Sequence, residues 1–120
     1  MKIIYIFRNN DYAAILAAYI HLKINIPPNL EQAPLKKMKL YYMGVDEEQR
    51  QVYLLKYSMK KHILMNILHG VGNIFNEGIR IIELKRFDGF LNNVYARYTN
   101  QYKMKKYRKE LEDYIHENNL

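Results

Sequence analysis

Five consecutive apolar residues near the start, Ile3, Ile4, Tyr5, Ile6 and Phe7, constrain the fold more than any other feature. A β-branched and aromatic run of this kind has no polar face, so it suits a strand covered on both sides. It predicts an interior strand, because the same run on a sheet edge would template aggregation. Arg8, Asn9, Asn10 and Asp11 then break the pattern. Asp11 is a good N-cap, and 12–23 read as a helix whose Ala13, Ala14, Ala17 and Ala18 permit close packing on a sheet. Strand, short polar loop and helix open many α/β domains.

The remaining pattern continues in kind. Ile26, Pro27, Pro28 and Asn29 end the first helix, and Asn29 is placed to cap a short turn over 30–33. Residues 38–45 and 51–57 read as two strands joined by the polar turn Asp46, Glu47, Glu48, Gln49 and Arg50, a hairpin with a longer loop. Ser58 is placed to cap a helix over 59–75, in which Ile63, Ile67, Val71 and Ile74 recur at helical spacing, flanked by Leu64, Leu68 and Phe75. Gly70 and Gly72 inside it either permit a close contact or loosen its last turn. A fourth strand follows over 79–84, then helices over 87–98 and 101–117. The order β-α-β-β-α-β-α-α predicts one three-layer α/β domain over 1–120, with a mixed sheet of about four strands and helices on both faces.

At 120 residues the chain is one domain by size. No stretch approaches the roughly 18 apolar residues of a membrane helix, and the first residues lack the h-region and cleavage site of a secretory signal. Both point to a cytoplasmic protein. The absence of cysteine removes disulfides, thiolate chemistry and cysteine-ligated metals. A net charge of +7 favours a polyanion or an acidic protein as partner, although Lys, Asn, Ile and Tyr also accumulate by compositional drift.

Several stretches are similar to a known family. Met1, Lys2, Ile3, Ile4 and Tyr5, the small-residue helix ending Ile20, His21 and Leu22, the hairpin Met43 to Glu47 leading to Val52 and Tyr53, and Gly72 with Ile74 and Phe75 resemble the DUF3189 family, domains of unknown function from Firmicutes. The resemblance spans most of the chain and weakens after Phe87. It implies the α/β fold and no activity. Typical members follow the first strand with a glycine-containing loop bearing His, Cys and a His-Ser-Ser triplet, and none of these residue types occurs between Phe7 and Ala14 here.

The candidate sites are few. Arg8, Asn9, Asn10 and Asp11 stand at the carboxyl end of a strand and the start of a helix, where α/β sheets bind ligands and where free amides favour an anion. Arg8 adds a forked donor, whereas Asp11 repels an anion and no glycine lets the backbone wrap a phosphate. His62 and His69 lie two turns apart without a carboxylate, which reads as a solvated face and not a metal pair. Asp46, Glu47 and Glu48 read as solvated turn residues, and His21 as a helix-end histidine near the sheet edge. Ser58, the single serine, has no nucleophile context. No cofactor motif is present. In the last helix Lys103, Lys106, Tyr107 and Arg108 interleave charge with aromatic surface, the raw material of a nucleic-acid or acidic-protein contact. Met104, Tyr107, Leu111, Tyr114 and Ile115 form a stripe that packs on the body or on a partner, including a second copy.

Three functions remain open. The first is a non-enzymatic domain binding a partner or an anionic ligand through the 8–11 loop. The second is a degenerate phosphate-handling or transferase-like enzyme. The third is a nucleic-acid accessory protein using the last helix.

Overall fold

The computed structural model describes residues 1–25, 34–74, 76–85, 101–118 and 120, with the backbone alone for 101–107. The elements are β1 (Lys2–Phe7), α1 (Asp11–Leu22), β2 (Leu40–Val45), β3 (Gln51–Lys56), α2 (Lys61–Ile74), β4 (Ile79–Glu83) and α3 (Gln101–Glu117). The strands form one mixed sheet in the order β2-β3-β1-β4. β1 pairs in parallel with both β3 and β4, and β2 closes the hairpin antiparallel to β3. The apolar run is therefore interior, and Ile3 to Phe7 are at most 1% exposed.

Alternation along β1 divides the core in two. Ile3, Tyr5 and Phe7 face α1 and α3, together with Val52, Leu54, Ile82, Leu111 and Ile115. Ile4 and Ile6 face α2, together with Leu55, Tyr57 and Leu64. Helix α1 is buried on nearly every side because it lies between the sheet and α3. Its four alanines keep it close to the strands, as a helix that is apolar all round requires.

Two cap assignments are corrected. The N-cap of α1 is Asn10, whose side chain accepts from the Ala13 amide at 3.0 Å, while Asp11 is the first helical residue. α2 begins at Lys61 and not just after Ser58: the amides of Ile63 and Leu64 bond the Lys60 carbonyl, and Ser58 lies in extended chain before it. The expected helix over 87–98 and the turn over 30–33 lie outside the described residues.

Two glycines answer local geometry. Gly44 sits at the irregularity between β2 and β3 with φ at 147°, a conformation that disfavours side chains. Gly72 lets α2 settle on the start of β4, since a Cβ there would stand 2.9 Å from the Glu77 carbonyl oxygen and 3.0 Å from Ile79. Close contact, and not a loosened turn, is what this glycine provides.

Candidate functional site

The 8–11 loop lies at the carboxyl end of β1, between strands reached in opposite directions, as expected of a ligand-binding crevice. Its residues are largely committed to the fold. Asn10 is buried and caps α1. Asp11 pairs with Lys56 at 2.9 Å and accepts from the Leu35 amide at 3.0 Å. Arg8 lays its guanidinium over the Tyr57 ring, 4.4 Å from the centroid, and Nη2 donates to the Met59 carbonyl at 2.9 Å. Asn9 is exposed. Arg8 thus bridges β1 to the approach of α2.

In the last helix the side chains of Lys103, Lys106 and Tyr107 lie outside the described residues. Arg108 is half-buried, with its Nε shielded from water and making no hydrogen bond. The stripe beyond it docks on the body. Leu111 and Ile115 are fully buried, and the Tyr114 hydroxyl donates to the Glu83 carbonyl at 2.6 Å.

At the opposite end of the sheet the structure assembles a polar chain that local spacing could not reveal. The Tyr5 hydroxyl meets His21 Nδ1 at 2.7 Å, and His21 Nε2 meets Asp46 Oδ2 at 2.7 Å. Arg50 Nε donates to the same oxygen at 2.8 Å, and the amides of Glu48 and Arg50 each donate to Oδ1 at 2.9 Å. Asp46 is therefore a buried organiser of the hairpin turn and not a solvated residue. Burial alone would push its carboxyl up. The Arg50 amide, His21 and the Arg50 guanidinium outweigh that and hold it at about 2. Burial holds His21 below its ordinary value, against the pull of Asp46. Burial also raises the Tyr5 phenol, so it stays protonated. The consistent assignment is a neutral His21 that accepts from Tyr5 at Nδ1 and donates to Asp46 from Nε2.

Tyr-His-Asp in line has the outline of a proton relay, but its tyrosine end is buried in the core. Tyr5 is 0% exposed on the central strand, and the His21 and Asp46 side chains are at most 4% exposed. A cleft of about 180 Å³ lies over the outer end, lined by His21 and Asp46 themselves together with Lys23, Glu47, Arg50 and His116. The chain fastens the end of α1 to the hairpin.

A second accessible feature among the described residues is apolar. On α2 only Leu64 and Gly72 are buried, whereas Ile63 (42%), Ile67 (49%), Val71 (42%) and Ile74 (78%) remain exposed. The stripe that recurs at helical spacing is thus exposed, and the flanking Leu64 and Leu68 make the core contact. On the same side of the sheet lie Leu40 (45%) and Tyr42 (55%), whose register partners Leu55 and Tyr53 belong to the cluster under α2. The Tyr42 and Tyr53 rings touch, with centroids 5.4 Å apart. His62, Asn66, His69 and Asn73 form the solvated face of α2, as their spacing predicts.

No described helix is long and apolar enough to cross a membrane, and no group of metal-ligating side chains occurs among the described residues. No protein-family model matches the chain, and no match was found among curated proteins or solved structures.

Proposed function

We propose that this chain is a non-enzymatic α/β domain that binds another macromolecule through the open side of its α2 layer. One observation carries the reading. Ile63, Ile67, Val71 and Ile74 stand exposed along α2, and Leu40 and Tyr42 stand exposed on β2, on the sheet face against which α2 packs. Scattered surface hydrophobics are ordinary, but a contiguous apolar patch marks a contact surface. The Tyr5-His21-Asp46 chain supports the non-enzymatic part of the reading, because its phenol is fully buried and already bonded to His21.

Selection from a displayed library of helical and extended peptides tests this. The protein should enrich binders, and Ile67→Glu with Val71→Glu should abolish their capture while leaving the circular dichroism spectrum unchanged. Both substitutions are at exposed positions, so the fold tolerates them. Binders that ignore the double substitution, or no enrichment in repeated rounds, would overturn the proposal.

A further inference from the structure

We infer that the carboxyl end of the sheet is a contact surface for nucleic acid, holding the phosphate backbone without reading base sequence. It is separate from the apolar α2 face and does not rest on it. The sheet order places this surface. β1, β3 and β4 run parallel and end together at Phe7, Lys56 and Glu83, and antiparallel β2 begins beside them with Leu40 opposite Leu55. Lys37 bridges to Lys56, and the Met38 amide donates to the Lys56 carbonyl at 2.6 Å. Lys36, Lys37 and Lys39 therefore stand at this end. Lys60 joins them at the approach to α2, and Lys85 just beyond β4. All five lysines are exposed.

The charge of the chain is gathered here. The carboxylates of the start of α1 and the end of β4 are already matched, Asp11 by Lys56 at 2.9 Å and Glu83 by Lys61. Among the described residues none of the five lysines is in an ion pair. Lys39 lies over the Tyr41 ring at 5.1 Å and stays exposed. At the opposite end the acids are balanced: Glu77 by Lys2, Glu47 by Lys23, and Asp46 and Glu48 by Arg50. Residues 26–33 hold one glutamate and no base, and 86–100 hold two arginines and one aspartate, so by sequence these segments leave the excess unchanged. Helix α3 adds to it. It runs antiparallel to β4, since Arg80 donates to the Asn118 carbonyl and Tyr114 to the Glu83 carbonyl. Its backbone from Tyr114 back to Gln101 therefore leads past the carboxyl end for about 20 Å, and the sequence of that stretch carries Lys103, Lys105, Lys106 and Lys109.

Composition selects the class of partner. Protein interfaces are depleted in lysine and bury an apolar core, whereas nucleic-acid interfaces are more polar and far more positively charged. Here lysine dominates, and Met38 is the exposed apolar side chain set among Lys36, Lys37 and Lys39. A lysine ammonium is a point charge that meets phosphate with little demand on geometry. The contact therefore follows the backbone and not the base edges.

Fluorescence anisotropy on the full chain tests the inference, with labelled duplex DNA and single-stranded RNA of two unrelated base sequences, polyglutamate, and anionic phosphatidylglycerol vesicles. The nucleic acids should bind with affinities that differ less than threefold between sequences and fall steeply with salt. Lys37→Gln with Lys60→Gln should weaken binding at least tenfold and lower the log–log salt slope by about two. Lys23→Glu removes the same net charge from the opposite end and should change affinity less than threefold. All three positions are exposed, so the fold tolerates the substitutions. Equal weakening by both variants would assign binding to net charge and remove this surface. A strong dependence on base sequence would contradict a backbone contact. Tighter binding of polyglutamate or of the vesicles than of any nucleic acid would replace the partner with an acidic protein or a membrane surface. No nucleic-acid binding at low salt would overturn the inference outright, and the library selection against the α2 face would stand or fall on its own result.

Discussion

Asp46→Asn is expected to lower folding stability by about 3–5 kcal/mol, the range for breaking a buried charge network by removing one member. The substitution keeps the size and shape of the side chain, so the loss is one of hydrogen bonding. Two amides converge on Oδ1, and His21 Nε2 and Arg50 Nε converge on Oδ2. Only a carboxylate accepts at both atoms. An amide in either orientation sets its own NH₂ against two donors. Thermal or denaturant unfolding checks this, and a midpoint shift below about 2 °C would show that water substitutes for the carboxylate at little cost.

The same pair sets the acid dependence. His21 is held below its ordinary value, so folding favours the neutral ring. The unfolded chain takes up this proton near pH 6.5, and stability falls as pH drops from there. Asp46 is held at about 2 against 3.8. Its share, about 2 kcal/mol, is intact above about pH 4 and disappears as pH falls toward its folded value. Wild-type stability should therefore decline in two stages on acidification, and Asp46→Asn should lack the lower one. A single stage shared by both proteins would contradict the linkage.

Leu111→Ala and Ile115→Ala should each cost about 2–5 kcal/mol. Both side chains are 0% exposed in the core shared with α1. They lie one turn apart in the same core, so the double substitution should depart from the sum. Removal of residues 101–120 should abolish cooperative unfolding, because it uncovers one side of α1 entirely. A truncated chain with a wild-type unfolding transition would mean that α3 is an accessory cover.

Much of this architecture was readable residue by residue. The run from Ile3 to Phe7 allowed no exposed face, so its interior place followed from composition alone. The bounds of α3 came out as expected because its apolar positions repeat over several turns. The caps did not: Asn10 and Asp11 are equally good capping types, and Ser58 is too far from the first helical turn to reach it. The His21 to Asp46 link was hidden for a different reason. The two residues are 25 positions apart, and only the sheet order brings the end of α1 to the end of β2. The isoleucine stripe of α2 shows the limit of periodicity, which marks a helix as amphipathic and does not say how much of its apolar arc the protein's own sheet covers.

Strand β1 is bonded on two sides and β2 on one. Amide exchange should therefore divide the sheet into two regimes. Ile4, Tyr5 and Ile6 release their protons only when the whole domain opens, and the β2 amides release theirs by fraying from the edge. His21 and Asp46 join these regimes, one ring nitrogen bonded to Tyr5 in the slow core and the other to the turn that ends the fast strand. That imidazole is a latch. Through it the turn at the end of the edge strand is tied to the slow centre, so the Glu48 and Arg50 amides bonded to Asp46 should exchange more slowly than the outer amides of β2.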